Sequence, residues 1–470
     1  MRILESLNPK KVFHYFEDIC KIPHGSGNTD KISEYCVEFA KAHSLEWTKD
    51  EYNNVIIKKA ASSGYEGHGT VILQGHLDMV CEKEPSLDKD FLTEGLDIAV
   101  DGDFVYAKGT TLGGDDGIAV AMVLAILEDD TLSHPPIEAL FTTDEETGMF
   151  GAEGLDVSSL SGKTLINIDS EEEGILTVGC AGGARADIKL PLEKGGSNFP
   201  CYKVTVCGLK GGHSGAEIDK GRLNSNVVMG KFISSLPFDY NIGDIYGGLK
   251  DNAIPRETVA FVFADGNIEE EAKAFVSANK VDTDAGLNIT VDKCECDTCF
   301  DVASSKKIAT FLSTVPNGII AMSPDIEGLV QTSLNLGVLK VESGALSSTF
   351  ATRSSVNAEK TELLARLEEV ASDFGGEYNS HSHYPAWEYR KNSPLRDTMT
   401  EVYEKLYGET PVIAAIHAGL ECGLFCEKIA GLDAVSFGPN LYGIHTTEER
   451  LSVKSVERTF DYLKEILRAL

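Results

Sequence analysis

A histidine and an aspartate two positions apart follow a short apolar run near residue 75. His76 and Asp78 come after Val71, Ile72 and Leu73, whose apolar and partly β-branched side chains are typical of a strand buried on both faces. Residues two apart on an extended backbone point to the same side, so the carboxylate can hold one ring nitrogen while the other faces a metal ion. A loop histidine beside an aspartate that caps a helix is the alternative, and this segment alone leaves both open.

Two acidic motifs further along the chain also suit metal binding. Asp115 lies in the glycine-flanked turn 113–117, where it could bridge two cations or simply cap the helix that follows. Glu145 and Glu146 come one residue after a strand predicted at 137–143. One of these glutamates could bind a metal while the other holds a water molecule, and a solvated acidic turn is the alternative.

Asp169 and His445 extend the pattern. Asp169 ends a strand predicted at 163–168, and His445 follows the glycine-containing loop 437–440. A single loop histidine usually has no special function, but these groups all follow strands expected to be parallel, whose carboxyl ends meet at one edge of a sheet. Mixed histidine and carboxylate ligands suit zinc, with manganese and cobalt as alternatives. Two metal ions about 3.5–4 Å apart need a bridging carboxylate.

The elements that must position these residues alternate between helices and strands. This alternation, up to about residue 185, predicts an α/β domain with a mainly parallel central sheet. The pattern changes near residue 190, where a glycine-containing linker begins, and the α/β pattern returns after Trp387. We therefore expect a discontinuous catalytic domain with an inserted α+β domain built of two strand–helix–strand halves. The predicted boundaries are 1–190 and 385–470 for the catalytic domain and 191–384 for the insertion.

Composition excludes several classes of function. The 470 residues carry 74 Asp and Glu against 42 Lys and Arg, a formal charge of -32. This charge argues against nucleic acid and anionic membrane as partners. No apolar run reaches the length of a membrane span, and charges lie too early for a signal peptide. Eleven scattered cysteines favour reduced thiols and a cytoplasmic location.

Taken in order, these motifs resemble those of a known superfamily. The set resembles the co-catalytic dinuclear zinc aminopeptidases and carboxypeptidases, and within them the bacterial aminoacyl-histidine dipeptidases, also called cytosol non-specific dipeptidases. The similarity extends over essentially the whole chain. The segments that carry it are His76–Asp78, Gly113–Gly117, Asp144–Gly148, Asn167–Asp169, Gly211–Gly215, Asp251–Glu257, His417–Gly423 and His445.

The resemblance implies a dinuclear zinc centre. It implies that His76 and Asp169 bind one zinc ion, that Glu146 and His445 bind the other, and that Asp115 bridges the two. Manganese or cobalt could take the place of zinc.

Three further positions beside the ligands have implied features. The resemblance implies that Asp78 orients His76 and that Glu145 is the general base. It also implies a cis peptide bond between Asp115 and Asp116. Asp116 departs from the family pattern, in which asparagine is common, and it adds a negative charge beside the bridging carboxylate.

The inserted domain resembles the lid of this family. His213 matches the histidine that polarises the scissile carbonyl, although a turn histidine would be the ordinary interpretation. Asn252, Arg353 and the loop at Gly419 match positions that hold the free carboxylate of the substrate, and Asn335 is a weaker candidate. Arg353 is chemically suited, since a guanidinium binds a carboxylate through two hydrogen bonds.

The predicted function is hydrolysis of unblocked dipeptides, including Xaa-His and β-alanyl-histidine types, by a monomer or homodimer. One alternative is an N-acyl-amino-acid deacylase of the same superfamily. A non-catalytic metal-binding relative is a second alternative, but the presence of Glu145, which is not expected to bind metal, argues against it. The motif Cys294–Cys299 has soft-metal character without a clear fourth ligand, so we interpret it as an exposed thiol-rich segment.

Overall fold

The computed structural model describes residues 2–470, which form two compact units. The first unit comprises the residues up to Gly179 with Tyr389–Ala415 and Leu420–Leu470, and the second comprises Cys180–Glu388 with Ile416–Gly419. The first unit is therefore discontinuous in sequence. The second unit begins earlier than residue 191, the predicted start of the insertion, because the strand that ends at Pro191 pairs within the second unit.

The amino-terminal segment folds as alternating helices and strands. Its first helix buries Val12, Phe13, Phe16 and Ile19, which recur at helical spacing. The elements are α1 (Lys10–Cys20), α2 (Asp30–Ala42), β1 (Glu46–Lys49), β2 (Val55–Lys59), β3 (Val71–His76), β4 (Ile98–Asp101), β5 (Phe104–Ala107), α3 (Gly114–Glu128), β6 (Ile137–Thr142), α4 (Phe150–Gly154), β7 (Thr164–Asn167) and β8 (Ile175–Cys180).

The central segment is richer in strands. Its elements are β9 (Gly182–Pro191), β10 (Cys201–Cys207), β11 (Gly212–His213), α5 (Ser225–Ser234), β12 (Tyr240–Gly247), β13 (Ala253–Ile254), β14 (Thr258–Ala264), α6 (Ile268–Asn279), β15 (Asn288–Cys294), α7 (Val302–Thr314), β16 (Gly318–Met322), β17 (Val330–Glu342), β18 (Ala345–Ser354), α8 (Asn357–Asp373) and β19 (Glu377–Tyr384).

The carboxy-terminal segment returns to the first unit. Its elements are α9 (Pro394–Tyr407), β20 (Val412–Ile416), α10 (Glu421–Lys428), β21 (Asp433–Ser436), β22 (Leu441–Tyr442), β23 (Arg450–Ser452) and α11 (Val453–Ala469). Within residues 2–470, no helix is both long enough and apolar enough to cross a membrane.

The first unit is built on an eight-stranded sheet with the order β1-β2-β6-β3-β7-β21-β8-β20. The four central strands β6, β3, β7 and β21 are parallel, which confirms the predicted α/β class. All six residues of β3 are buried, as expected of a central strand in a parallel sheet. This strand runs through His76, so the histidine is the last residue of the strand.

The second unit is built on a nine-stranded antiparallel sheet. Eight of its strands follow the order β15-β10-β14-β12-β17-β18-β9-β19, and the ninth, β16, pairs with β17. Two four-stranded parts of this sheet meet where β12 pairs with β17, through Tyr246 opposite Lys340 and Gly247 opposite Leu339. The core of this unit packs Phe232, Phe311 and Phe350 among other buried side chains.

Candidate metal centre and substrate-binding residues

Three neighbouring parallel strands of the first unit end at the same edge of the sheet. His76 on β3 lies opposite Thr142 on β6, and Gln74 on β3 lies opposite Asn167 on β7. The motifs that follow β6 and β7 therefore begin beside His76. The alignment of these strand ends explains why side chains far apart in sequence gather here.

Asp115 faces a different histidine with each of its carboxylate oxygens. Its Oδ1 lies 3.1 Å from Nε2 of His76, and its Oδ2 lies 3.3 Å from Nε2 of His445. The His445 Nε2 also lies 2.9 Å from Oε1 of Glu146, and the His76 Nε2 lies 3.8 Å from Oδ1 of Asp169. The structure thus brings together all five residues predicted to bind metal, with Asp115 between the two histidines.

The donor atoms in this region fit divalent cations. Three groups each have ligand atoms within 4.8 Å of one another: His76, Asp116 and Asp169; His76, Glu145 and Glu146; and Asp115, Glu146 and His445. These groups combine five carboxylates with only two imidazoles. Burial raises the pKa of Asp169 well above its ordinary value, and burial together with neighbouring carboxylates raises the pKa of Glu145 to about 8. Cations would offset this concentration of negative charge.

The two histidines are strongly coupled to the carboxylates. Burial opposes a charge on His76, but its contacts with Asp115 and Asp78 raise the pKa well above the ordinary value. Contacts with Asp115 and Glu146 raise the pKa of His445 to about 10. The neighbouring carboxylates thus create a negative field that a bound cation would neutralise, and each imidazole would bind that cation in its neutral form.

Asp78 holds His76 through its backbone as well as its side chain. The Nδ1 of His76 lies 3.0 Å from the backbone carbonyl oxygen of Asp78 and 3.5 Å from its Oδ1. Nδ1–H therefore donates to Asp78, which leaves Nε2 free to bind a metal. The predicted partner was the Asp78 carboxylate, but the backbone carbonyl is the closer acceptor.

The hydrogen bonds around His213, in the second unit, leave its Nε2 as the hydrogen-bond donor. Its Nδ1 accepts backbone hydrogen bonds from Gly215, at 3.2 Å, and from Ala216, at 3.0 Å. Burial lowers its pKa, and the positive charge of Arg353 lowers it further. The imidazole is therefore neutral with its proton on Nε2, which is the form that can donate a hydrogen bond to a carbonyl oxygen.

Arg353 is buried without a carboxylate partner among the described residues. Its side chain donates from Nη1 to the phenol oxygen of Tyr384 at 3.0 Å, while Nε has no partner. Arg353 is only 6% exposed. Because a buried charge is costly unless it is paired, this guanidinium is suited to receive an anion from outside the protein.

Asn252 lies in a turn of the second unit, and Asn335, on β17, holds that turn through its side chain. The carbonyl of Asn252 accepts a backbone hydrogen bond from Ser214 at 2.8 Å, which ties this turn to the one that carries His213. The amide of Asn335 donates to the carbonyls of Asp251, at 3.0 Å, and Ala253, at 2.9 Å. The donors of Asn335 are therefore used to hold the turn around Asn252.

Gly419 ends the short carboxy-terminal segment that belongs to the second unit. The backbone N–H of Ala181 donates to the carbonyls of Ile416, at 3.1 Å, and Ala418, at 3.0 Å, which anchors this segment. Gly419 is half-buried beside this anchor. Its predicted part in substrate binding remains a prediction.

Comparison with known proteins identifies the family. A model of the peptidase family M20/M25/M40 matches residues 72–469. The chain belongs to this family. It is 35% identical to the cytosol non-specific dipeptidase of Escherichia coli (strain K12) over 482 aligned residues, which cover 100% of this chain and 99% of the relative. The family and the enzyme class predicted from the motifs are thereby confirmed.

Solved structures agree with this membership. The crystal structure of aminoacylhistidine dipeptidase from Vibrio alginolyticus matches with a TM-score of 0.94 at 34% identity, over 99% of this chain and 98% of that one. An aminopeptidase from Bacillus cereus matches with a TM-score of 0.59 at 16% identity, over 98% and 99% of the two chains. The second similarity concerns the fold alone.

The Asp115–Asp116 peptide bond of this M20/M25/M40 peptidase is cis, as the resemblance implies. Asp116 is 2% exposed, and its Oδ2 accepts a hydrogen bond from the backbone N–H of His76 at 3.1 Å. Asp116 thus contacts the end of β3 directly, and it also lies in one of the three candidate ligand groups.

Glu449 is a site residue that sequence reasoning missed. Its carboxylate accepts backbone hydrogen bonds from Leu112, at 2.7 Å, from Gly113, at 3.2 Å, and from Gly114, at 2.8 Å. These donors immediately precede Asp115 in sequence. Glu449 follows His445 by four residues, so it joins the loops that carry two of the candidate ligands. The position of Glu449 close to His445 in sequence is the feature that could have indicated its role.

A second missed group lies beneath the strand ends. Glu421 is fully buried, and its Oε2 accepts hydrogen bonds from Gln74, at 2.6 Å, and Thr142, at 2.7 Å. Gln74 in turn accepts a hydrogen bond from Asn167 at 2.5 Å. The network joins β3, β6 and β7 just below the positions from which the candidate ligands project.

The cysteines of the thiol-rich segment, which lies in the second unit, do not form a group of metal ligands in the described part of the chain. Cys294 lies directly opposite Cys201 on the neighbouring strand, with 3.6 Å between the sulfur atoms. Cys296 contacts the backbone carbonyl of Thr298 at 3.4 Å. No cysteine between residues 2 and 470 forms a disulfide or belongs to a candidate ligand group.

Proposed function

We propose that this chain is a dinuclear metal-dependent dipeptidase that hydrolyses unblocked dipeptides. The observation that carries the proposal is Asp115, whose two carboxylate oxygens face the Nε2 atoms of His76 and His445 at 3.1 Å and 3.3 Å. A carboxylate with one oxygen directed to each of two sites is what a bridging ligand requires. The names of the Escherichia coli and Vibrio relatives support the reaction class.

The residues present would hold two divalent cations. His76 and Asp169 would bind the first, Glu146 and His445 the second, and Asp115 both. The chemistry that such cations supply is polarisation of the substrate carbonyl and acidification of water. Zinc fits the mixed nitrogen and oxygen donors, and manganese and cobalt accept the same ligands.

Glu145 is the proposed general base. Its backbone N–H is fixed by the carboxylate of Asp78 at 3.1 Å, beside the candidate ligands. In this role its carboxylate takes a proton from the attacking water and gives it to the leaving amine. Burial of the Glu145 side chain favours its protonated form, which suits it to hold that proton between the two transfers.

The second unit supplies the proposed substrate contacts. Arg353 binds the free carboxylate of the dipeptide, because the Nε of its buried guanidinium lacks a partner in the described chain. We assign to Asn252 and Gly419 an accessory part in the same recognition. His213 donates from Nε2 to the reacting carbonyl, as its neutral tautomer allows.

Two further properties belong to this proposal. The name of the Escherichia coli relative and the reduced thiols are consistent with a cytoplasmic enzyme. A monomer and a homodimer remain alternatives for its oligomeric state, which sedimentation would distinguish.

An N-acyl-amino-acid deacylase of the same superfamily is the competing function. The test is metal analysis combined with kinetics on a dipeptide panel that includes β-alanyl-histidine, with each dipeptide compared to its N-acetyl form. We expect two metal ions per chain and turnover of the free dipeptides only. Preferred turnover of the N-acetyl compounds would replace the proposal with the deacylase.

A metal titration of Asp115→Ala completes this test. Because Asp115 faces both histidines, its loss should leave fewer than two metal ions per chain and no turnover. A mutant that binds two metal ions as tightly as the parent would show that Asp115 does not bridge them.

A further inference from the structure

Three of the four buried side-chain atoms of the second unit that lack a partner within residues 2–470 belong to residues that border Gly215, and the fourth is the hydroxyl of Tyr378. Arg353 Nε, His417 Nδ1 and Ser214 Oγ are all buried without a hydrogen bond to the described residues. A Cβ placed on Gly215 would lie 2.9 Å from Arg353 Nε, 3.0 Å from Cε1 of His213 and 2.6 Å from the backbone oxygen of His417. Arg353 Nε, the ring of His213 and the backbone of His417 therefore all approach Gly215, where no side chain would fit.

Sheet register places His417 beside Arg353. Ser333 on β17 is directly opposite Arg353 on β18, so their side chains project on the same face of the sheet. The hydroxyl oxygen of Ser333 lies 2.7 Å from Nε2 of His417. Ser333 is 1% exposed and His417 is 8% exposed, so this contact is dry and fixes the imidazole.

The imidazole of His417 is neutral. Burial lowers its pKa to about 4, and the positive charge of Arg353 acts in the same direction. A hydrogen-bonding contact with the backbone carbonyl of Val330 opposes this shift, although Nδ1 has no partner at good hydrogen-bond geometry in the described chain. The pair thus offers one permanent positive charge and one neutral polar group, which complements a single carboxylate.

We propose that His417 is a substrate-binding residue whose Nδ1–H donates to the same substrate carboxylate that Arg353 binds. The Ser333 hydroxyl donates to Nε2 and thereby keeps the proton on Nδ1. The unpartnered Nδ1 and Nε atoms are then both satisfied when the carboxylate is bound. This assignment rests on the proposed dipeptidase function, and it adds a residue and a tautomer to it.

Two substitutions of His417 separate its two nitrogens. The amide nitrogen of an asparagine takes the approximate place of Nδ1, whereas that of a glutamine takes the place of Nε2. The experiment measures kcat and KM for alanyl-histidine and for its carboxy-terminal amide. His383→Gln is the matched control, because His383 is an exposed histidine of the same unit.

We expect His417→Gln to raise KM for the free dipeptide by about 10–100-fold, the fold-change for loss of a hydrogen bond to a charged group. KM for the amide and kcat should remain those of the parent. His417→Asn should retain most of the preference for the free acid, and Ser333→Ala should lose part of it. The control should match the parent.

The assignment would be overturned if folded His417→Gln preferred the free acid over the amide as strongly as the parent does. It would also be overturned if the His417→Asn and His417→Gln variants lost this preference to the same extent. If both His417 variants have lower melting temperatures than the parent, Ser333→Ala becomes the deciding variant. The proposal is then overturned if Ser333→Ala prefers the free acid over the amide as strongly as the parent does. A parent that hydrolyses neither compound would instead refute the dipeptidase function together with this inference.

Discussion

The carboxylate of Asp78 accepts a hydrogen bond from the backbone N–H of Glu145, with 3.1 Å between N and Oδ1. The same side chain accepts hydrogen bonds from Ser26 Oγ at 2.8 Å and from the N–H of Glu146 at 3.4 Å. Its backbone carbonyl holds His76 Nδ1. A single residue thus fixes the ring of one candidate ligand and the segment that carries the candidate base.

Asp78→Asn should therefore impair metal binding and turnover together. The backbone contact with His76 survives, but the amide cannot accept all the bonds that the carboxylate accepts. Loss of such a supporting contact typically lowers metal affinity or activity by about 10–100-fold. Metal titration and kcat measure the two effects, and Asp130→Asn is a control, since Asp130 is exposed on the same unit. Parental values for both quantities would contradict the role given to Asp78.

The neighbouring glutamates should behave differently when each is replaced by alanine. Glu146 lies 2.9 Å from His445 Nε2, so Glu146→Ala should lose metal as well as activity. Glu145→Ala should keep its metal and lose turnover by about 10²–10⁴-fold, the usual contribution of a general base. Metal content and kcat of the two variants, measured side by side, distinguish ligand from base. Near-normal turnover in metal-loaded Glu145→Ala would show that Glu145 is not the general base.

Glu449→Gln should loosen the turn before Asp115. A glutamine presents an N–H group to backbone N–H donors that now bond to a carboxylate, so at least one buried donor loses its partner. The expected loss is about 1–3 kcal/mol of the free energy of unfolding, accompanied by weaker metal binding. Urea denaturation and metal titration measure both. Glu448→Gln changes the adjacent, exposed residue and should have neither effect. If Glu449→Gln binds metal as tightly as the parent, Glu449 contributes to folding stability but not to metal binding.

Arg353→Ala should weaken binding of the free carboxylate by roughly 1.5–3 kcal/mol. The variant should also lose the preference for a free dipeptide over its carboxy-terminal amide, because only the free acid carries the charge that the guanidinium pairs. The KM values of both substrates provide the measurement, and Arg366→Ala tests an exposed arginine of the same unit. A variant that still prefers the free acid as the parent does would place the carboxylate site elsewhere, with Asn252 and the Gly419 loop next to be tested.

Local sequence was sufficient to place several candidate metal ligands at the ends of strands. His76 and Asp169 follow apolar strand patterns, and in parallel sheets the ends of such strands meet, so the strand pattern alone predicts that these two residues lie close together. The glycines on either side of Asp115 and Asp116 likewise predict the turn that carries them. The resemblance to a family then gave each residue a role that spacing alone leaves open.

Strands with a clear apolar pattern were predicted more easily than polar ones. The strand β3 consists of buried residues and reads as a strand from its composition. The edge strand β19, Glu377–Tyr384, is mainly polar and exposed, so its sequence carries no alternation that would indicate a strand. Its pairing with β9 arises from the neighbouring strand rather than from its own sequence pattern.

Only the tertiary structure decided which distant groups pair with one another. Glu449 and Leu112 are 337 residues apart, and Ser333 and His417 are 84 apart, so their contacts leave no local signal. The partner of His76 Nδ1 was decided in the same way, since the choice between the carbonyl and the carboxylate of Asp78 depends on backbone geometry. Sequence by itself determined which chemical groups stand at the ends of strands. Register and packing determined which buried donors were satisfied within the protein and which, like Arg353 Nε and His417 Nδ1, were left without a partner.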